Sequence, residues 1–286
     1  MCIIVSISCL CYSSAIKLKG PPIMNKRIKT LFFSPTNGTK KLITTIAVAI
    51  SPEFEQFDIT LPEARAEALH FSENDLVIIG LPTYAGRIPK LLLPYLSSIT
   101  CSNALCVCVT TYGNRDYEDA LLEQCDLFQS KGFHLLGAAS FVTEHSATSR
   151  LATNRLDADD LATALEFGRQ IKARMEELSD LSAVTSLSLP GNRPYVEKNL
   201  QMPPMAPETN DTCTKCGLCA AHCPTASIDA LDCKTINLST CIKCNSCVKR
   251  CPKKAKAIHH PGYLGMQTML IQNFSSTSKK PELFLA

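Results

Sequence analysis

The chain has no tryptophan in 286 residues, and only 19% of it is charged, with 29 Lys/Arg against 26 Asp/Glu. A net charge of +3 gives no field strong enough to point to nucleic acid or a lipid surface, so neither is expected as a partner. Long apolar runs are also missing. The most apolar stretch, Met1–Ile16, falls short of the roughly 20 residues a spanning helix needs. It has no basic region ahead of it, since Lys17 and Lys19 come after it. Met24 is followed at once by NKRIKTLFFS, a normal entry into a first strand, so residues 1–23 read as a doubtful leader or mis-called start. No Ser/His/Asp order, carboxylate pair or P-loop lysine motif is present, which removes support for hydrolase and kinase chemistry.

What the chain does have is cysteine. Nine of its 16 cysteines lie between Cys213 and Cys251, while the remainder resembles an ordinary cytoplasmic protein. A secreted disulfide scaffold spreads its cysteines through a short chain, so this clustering points to metal.

The length suits two folded units. From about residue 24 to 182, short apolar runs alternate with amphipathic stretches, the pattern of strand–helix units on a parallel sheet. Expected strands are Lys29–Ser34, Glu55–Thr60, Asp75–Leu81, Ala104–Thr110 and His134–Val142. Leu42, Ile43, Ile46 and Ile50 form one helical stripe; Leu121, Leu122, Cys125 and Phe128 form a second, closed by Gly132. A third runs through Leu161, Leu165, Ile171, Met175 and Leu178, with Asp157 as its N-cap. The expected architecture is a doubly wound, five-stranded α/β sheet. Residues 183–211, rich in proline, read as a stiff extended linker. A cysteine-rich α+β unit follows at 212–261, and 262–286 reads as a polar tail.

In the small unit Cys213-x2-Cys216-x2-Cys219-x3-Cys223-Pro224 recurs 28 residues later as Cys241-x2-Cys244-x2-Cys247-x3-Cys251-Pro252. Three thiolates at three-residue steps wrap three corners of one [4Fe–4S] cubane, and the fourth cysteine of each run belongs to the other cluster. One cluster would take Cys213, Cys216, Cys219 and Cys251; the other Cys241, Cys244, Cys247 and Cys223. Zinc sites use paired-cysteine knuckles instead. Cys233 lies outside both runs and reads as a plain thiol. The second half carries a longer segment, Lys253–Ala257, before Ile258 than the Thr225–Ser227 before Ile228. If both isoleucines cover clusters, the second is reached by a longer path. The basic stretch Lys249, Arg250, Lys253, Lys254 and Lys256 reads as a solvated face or as a docking patch for an acidic redox partner.

Three loops should lie at the carboxyl ends of strands, beside the switch point of a 2-1-3-4-5 sheet. Ser34-Pro35-Thr36-Asn37-Gly38-Thr39-Lys40 opens the first helix with the hydroxyls and backbone N–H groups of a phosphate cradle. Pro82-Thr83-Tyr84-Ala85-Gly86-Arg87 and Thr111-Tyr112-Gly113-Asn114-Arg115 follow the third and fourth strands. His145 reads as an ordinary loop histidine, and His259-His260 as a solvated pair.

The small unit resembles the bacterial two-cluster ferredoxins, and the first unit resembles flavodoxins. The whole from Met24 to Pro261 resembles the fused flavodoxin–ferredoxin proteins of the EFR1 family, through FFSPTNGTKK, GLPTYAGRIP, TTYGNRDYEDALLE and the two cysteine runs. The resemblance implies FMN beside two [4Fe–4S] clusters. Ser34, Thr36, Asn37, Gly38 and Thr39 would hold its phosphate, and Tyr84 and Tyr112 would contact its ring. Backbone groups around Ala85–Gly86 and Gly113–Asn114 would meet its edge. The common flavodoxin loop reads T-G-x-T, whereas here Asn37 precedes Gly38, and without tryptophan the tyrosines alone remain for stacking. The expected role is a carrier of low-potential electrons between clusters, FMN and an external redox protein. The alternatives are an FMN-dependent reductase of a small organic substrate, or a ferredoxin on a flavin-free scaffold.

Overall fold

The computed structural model describes residues 26–198 and 203–286; the leader assigned to 1–23 and linker residues 199–202 lie outside them. The main sheet is built from β1 (Arg27–Phe32), β2 (Glu55–Asp58), β3 (Asp75–Pro82), β4 (Leu105–Tyr112), β5 (His134–Val142) and β6 (Glu282–Leu285). Their spatial order is β2-β1-β3-β4-β5-β6. The first five strands are parallel, and β6 pairs antiparallel to β5, Leu283 opposite Ala139. This is the flavodoxin-like doubly wound α/β order expected above, with one strand added at its edge.

Period-two alternation in β3 and β4 fills both faces. Val77, Ile79 and Leu81 join Cys106 and Cys108 in one core layer, while Leu76 and Ile78 join Leu105, Val107 and Val109 in the other. The second layer is roofed by α1 (Gly38–Ile50) and α3 (Ala158–Glu177), the first by α2 (Ala120–Gln129). Each fully buried Leu or Ile here contributes about 1.5–3 kcal/mol. Helix α1 sits so close to β3 that a Cβ on Gly80 would lie 2.3 Å from Ile43 Cγ1. Helix α3 starts at the expected cap: Asp157 Oδ1 accepts from Asp160 N at 2.9 Å, and Asp160 Oδ2 accepts from Asp157 N at 3.2 Å.

The described linker residues are tied down along α2. Asp119 accepts from the N–H groups of Asn192 and Val196, Asp126 pairs with Arg193 at 2.6 Å, and Arg87 stacks on Tyr195 at 4.7 Å.

The residues read as a tail do not form one. Pro261–Phe274 is a helix, α4, capped by His260 Nδ1, which accepts from Gly262 N at 3.1 Å, and the chain then crosses back to supply β6. Phe284 packs into one core layer of the main sheet and Leu283 into the other. So His260 is a helix cap and not half of a solvated pair.

In the small unit the 28-residue repeat is written into the backbone. Lys215 and Lys243 have φ 54° and 55°, Gly217 and Asn245 79° and 60°, Ala226 and Lys254 48° and 51°. The short helices Leu218–Ala221 and Ser246–Arg250 start in the same register. Strand Glu208–Thr209 pairs antiparallel with Lys256–Ala257.

Candidate cluster and cofactor sites

The tight αL turns after each first cysteine bring the cysteines of a run together around a common hollow. One cavity is lined by Cys213, Cys216, Cys219 and Cys251, with Cys233 also in its wall; another is lined by Cys241, Cys244, Cys247 and Cys223. The fourth cysteine of each run thus lies in the cavity of the other run. Among the described residues no three His, Cys, Asp or Glu side chains converge as they would on a single metal ion. Thiolates spread around a hollow are what a four-iron cage needs, and the donor set therefore fits the cluster chemistry.

Backbone donors reinforce the fit. Ser227 N donates to Cys223 Sγ at 3.2 Å and Ala255 N to Cys251 Sγ at 3.3 Å, the same four-residue step in both halves. That register makes Lys256, not Ile258, the counterpart of Ile228. The expectation that Ile258 covers a cluster by a longer path is therefore corrected: Ile258 packs with Met205 and Tyr263, on the side of α4. Lys256 lines the first cavity and Ile228 the second. Counting residues from the cysteine, instead of matching isoleucines, would have found this in the sequence.

Burial raises the thiol pKa values of Cys219 and Cys241, and pushes those of Cys244 and Cys247 up to about 12. The empty protein therefore holds neutral thiols, and cluster assembly must displace their protons. Loading of apoprotein with iron and sulfide should accelerate by up to about tenfold per unit as pH rises through the neutral range. Stopped-flow absorbance measures this, and a rate flat in pH would contradict it.

The two cysteine runs face different surroundings. Cys216 is exposed, whereas its counterpart Cys244 is 8% exposed, because the second run lies against the main sheet. Ile242 packs into the same core layer as Tyr84, whose hydroxyl pKa is raised by burial and then by Cys244. Arg65 Nη2 donates to Pro224 O at 2.7 Å, and Lys249 pairs with Glu144 at 2.6 Å. Arg250 Nη2 donates to Asn37 Oδ1 at 2.8 Å and to Pro35 O at 3.3 Å. The basic stretch is consequently divided: Lys249 and Arg250 bind the main-sheet loops, Lys256 is buried, and Lys253 and Lys254 are exposed. Arg250 and Arg65 carry no motif signal, since their partners come from the other unit.

The three strand-end loops do converge. Thr39 and Thr111 share a hydroxyl hydrogen bond at 2.8 Å, and Thr83 N donates to Thr111 O at 2.7 Å. Asn37 takes φ 68° at the N-cap of α1, and Ser34 Oγ accepts from Lys40 N at 2.9 Å. The N–H groups of Gly38 and Thr39 have no acceptor among the described residues, and Arg250 sits beside them. This end fits a phosphate. Thr36 lies on the same loop, half-buried.

The ring end differs from expectation. Tyr112 is 3% exposed, packs on Tyr117 at 5.3 Å between ring centroids, and has Lys279 Nζ 5.9 Å from its centroid. It is a core residue and presents no stacking face. The Asn114 side chain is engaged elsewhere, its Nδ2 donating to Phe274 O and Thr277 O at 2.7 Å each, which does not involve the backbone groups expected at the ring edge. Gly113 lies against His145, whose pKa burial lowers to about 4 and whose Nδ1 accepts from Ala147 N, as suits a packed loop histidine. Tyr84 to Arg87 form a tight turn with Ala85 at φ 55° and Gly86 at φ 89°, following Pro82 and Thr83 on the strand end. Among the expected ring contacts, Tyr112 alone is withdrawn; Tyr84, this turn and the backbone of Gly113–Asn114 stay at the strand ends.

Residues 234–256 match the 4Fe–4S binding domain family, a span that includes the second cysteine run. No curated protein matches the chain. Among solved structures, a flavodoxin from the domain Archaea aligns at 12% identity over 53% of this chain and 99% of its own, with a TM-score of 0.37. A Streptococcus pneumoniae flavodoxin aligns at 16% identity over 51% and 98%, TM-score 0.36. The rubredoxin:oxygen oxidoreductase of Desulfovibrio gigas aligns at 14% identity over 55% of this chain and 38% of its own length, TM-score 0.35. None of the described helices is long and apolar enough to cross a membrane. The chain joins a flavodoxin-like α/β fold to a 4Fe–4S ferredoxin-type segment.

Proposed function

We propose that this chain is a flavo-iron–sulfur electron-transfer protein of the fused flavodoxin–ferredoxin kind, holding two [4Fe–4S] clusters and FMN. The observation that carries the proposal is the division of the eight cysteines of the two runs between two cavities, with Cys223 and Cys251 exchanged. When bound, the flavin exchanges one or two electrons and each cubane one. The chain's own residues do the positioning. Ser227 N and Ala255 N fix the two exchanged thiolates, and Ile242 and Tyr84 bring the second cavity against the main sheet. Gly38 and Thr39 N–H groups, with Arg250, make the phosphate end of the flavin site.

A carrier is favoured over a reductase because the second cysteine run packs beside Tyr84, which sets that cluster close to the ring end of the strand-end loops. The cluster of Cys213, Cys216, Cys219 and Cys251, with Cys216 exposed, is the solvent-facing exit toward an external redox protein. Anaerobically purified protein should hold about eight irons per chain. Acid extraction should release one FMN, identified by mass. About four irons would remove the two-cluster reading, and no FMN after reconstitution would leave the ferredoxin on a flavin-free scaffold.

A further inference from the structure

Among the differences between the two halves where they line the cavities, one is a buried charge. Five residues after Cys223 stands Ile228; five residues after Cys251 stands Lys256. Lys256 is 3% exposed, with Nζ donating to Thr209 Oγ1 at 2.6 Å and to Cys233 O at 2.7 Å. Both acceptors are neutral, and no carboxylate lies within ion-pair distance among the described residues. An ammonium has three N–H groups, so one is left without a protein acceptor here. A buried ammonium without a counter-ion is costly, and chains retain one where a fixed anion meets it. The side chain lines the cavity of Cys213, Cys216, Cys219 and Cys251 and not the other.

We propose that Lys256 is the built-in counter-charge of the cluster held by Cys213, Cys216, Cys219 and Cys251, and that it makes this cluster the easier of the two to reduce. The proposal rests on the two-cluster reading. A four-thiolate cubane is anionic, and reduction adds one more negative charge. A fixed cation in the cavity wall stabilises the reduced state more than the oxidised one, which raises the potential. The second cavity has Ile228 in the matching place; the lysine in its wall, Lys243, is only half-buried, so water screens its charge more than that of Lys256. Electrons would then rest on the solvent-facing cluster, remote from Tyr84.

The test is an anaerobic redox titration followed by electron paramagnetic resonance on wild type, K256M, K256Q and K256R, with iron counted in each. The wild type should reduce in two resolved steps. K256M should hold about eight irons, with its upper step moved to lower potential and the gap narrowed; K256R should titrate as wild type. K256Q keeps hydrogen bonds to Thr209 and Cys233 without the charge, and should fall as K256M does. Iron loss in both neutral variants, with K256R fully loaded, also supports the counter-charge. The proposal is overturned if a loaded K256M or K256Q titrates as wild type, if K256R shifts as far as they do, or if all three lose iron. A wild type with about four irons defeats the two-cluster reading instead.

Discussion

A C251S chain should lose the cluster of the first cysteine run while keeping the one its own run surrounds. Cys251 lines the cavity of Cys213, Cys216 and Cys219, and its N–H partner Ala255 holds the thiolate toward that cavity. Iron should fall from about eight to about four per chain. The residual spectrum should coincide with that of C216S and differ from that of C244S. C223S should give the converse, a spectrum like C244S. The effect is large because a hydroxyl is a far poorer iron ligand than a thiolate, and the remaining three cysteines cannot close the cage. If C251S instead matched C244S, the two runs would be independent sites and the pairing across the halves would be wrong.

Ending the chain at Thr277 should cost about 2–4 kcal/mol of stability. The truncation removes β6 from the sheet, takes Leu283 and Phe284 from opposite core layers, and breaks the bond from Lys279 N to Asn114 Oδ1. It also uncovers β5, whose residues are otherwise buried, as a long apolar edge prone to intermolecular pairing. For a chain this size the thermal midpoint should drop by roughly 5–15 °C, read by circular dichroism. An unchanged midpoint would make the sixth strand incidental. Tyr112 gives a second readout in the same variant. Its cover by Lys279 goes, so its ring should become accessible to a water-soluble quencher.

Much of this arrangement is local, and local features were legible. The continuous Leu76–Ile79 run marks a strand covered on both sides, and Asp157 with Asp160 marks a helix start, because each depends on neighbours within a few residues. The grouping of the cysteines around two hollows was legible for a different reason: metal geometry ties spacing to ligation regardless of the surrounding fold. Two of the misses are contacts across long stretches of chain. Tyr112 has the composition of a flavin-facing loop, but Lys279, far along the chain, closes over it. Glu282–Leu285 is too short and mixed to show a period, and it becomes a strand only because β5 offers an unpaired edge. Lys256 was misread because the repeat was judged by residue type, when backbone geometry keeps the register and lets the side chain differ.

The sixth strand also alters what kind of molecule this is. A chain made of one unit followed by another can be parted by one cut in the linker. Here the large sheet is begun before the iron–sulfur unit and finished after it, so that unit is inserted within the fold. Cleavage anywhere in 183–211 would leave both pieces held together through β5 and β6. During synthesis the sheet's last edge also stays open until the cysteine runs have emerged, which couples completion of one fold to the appearance of the other.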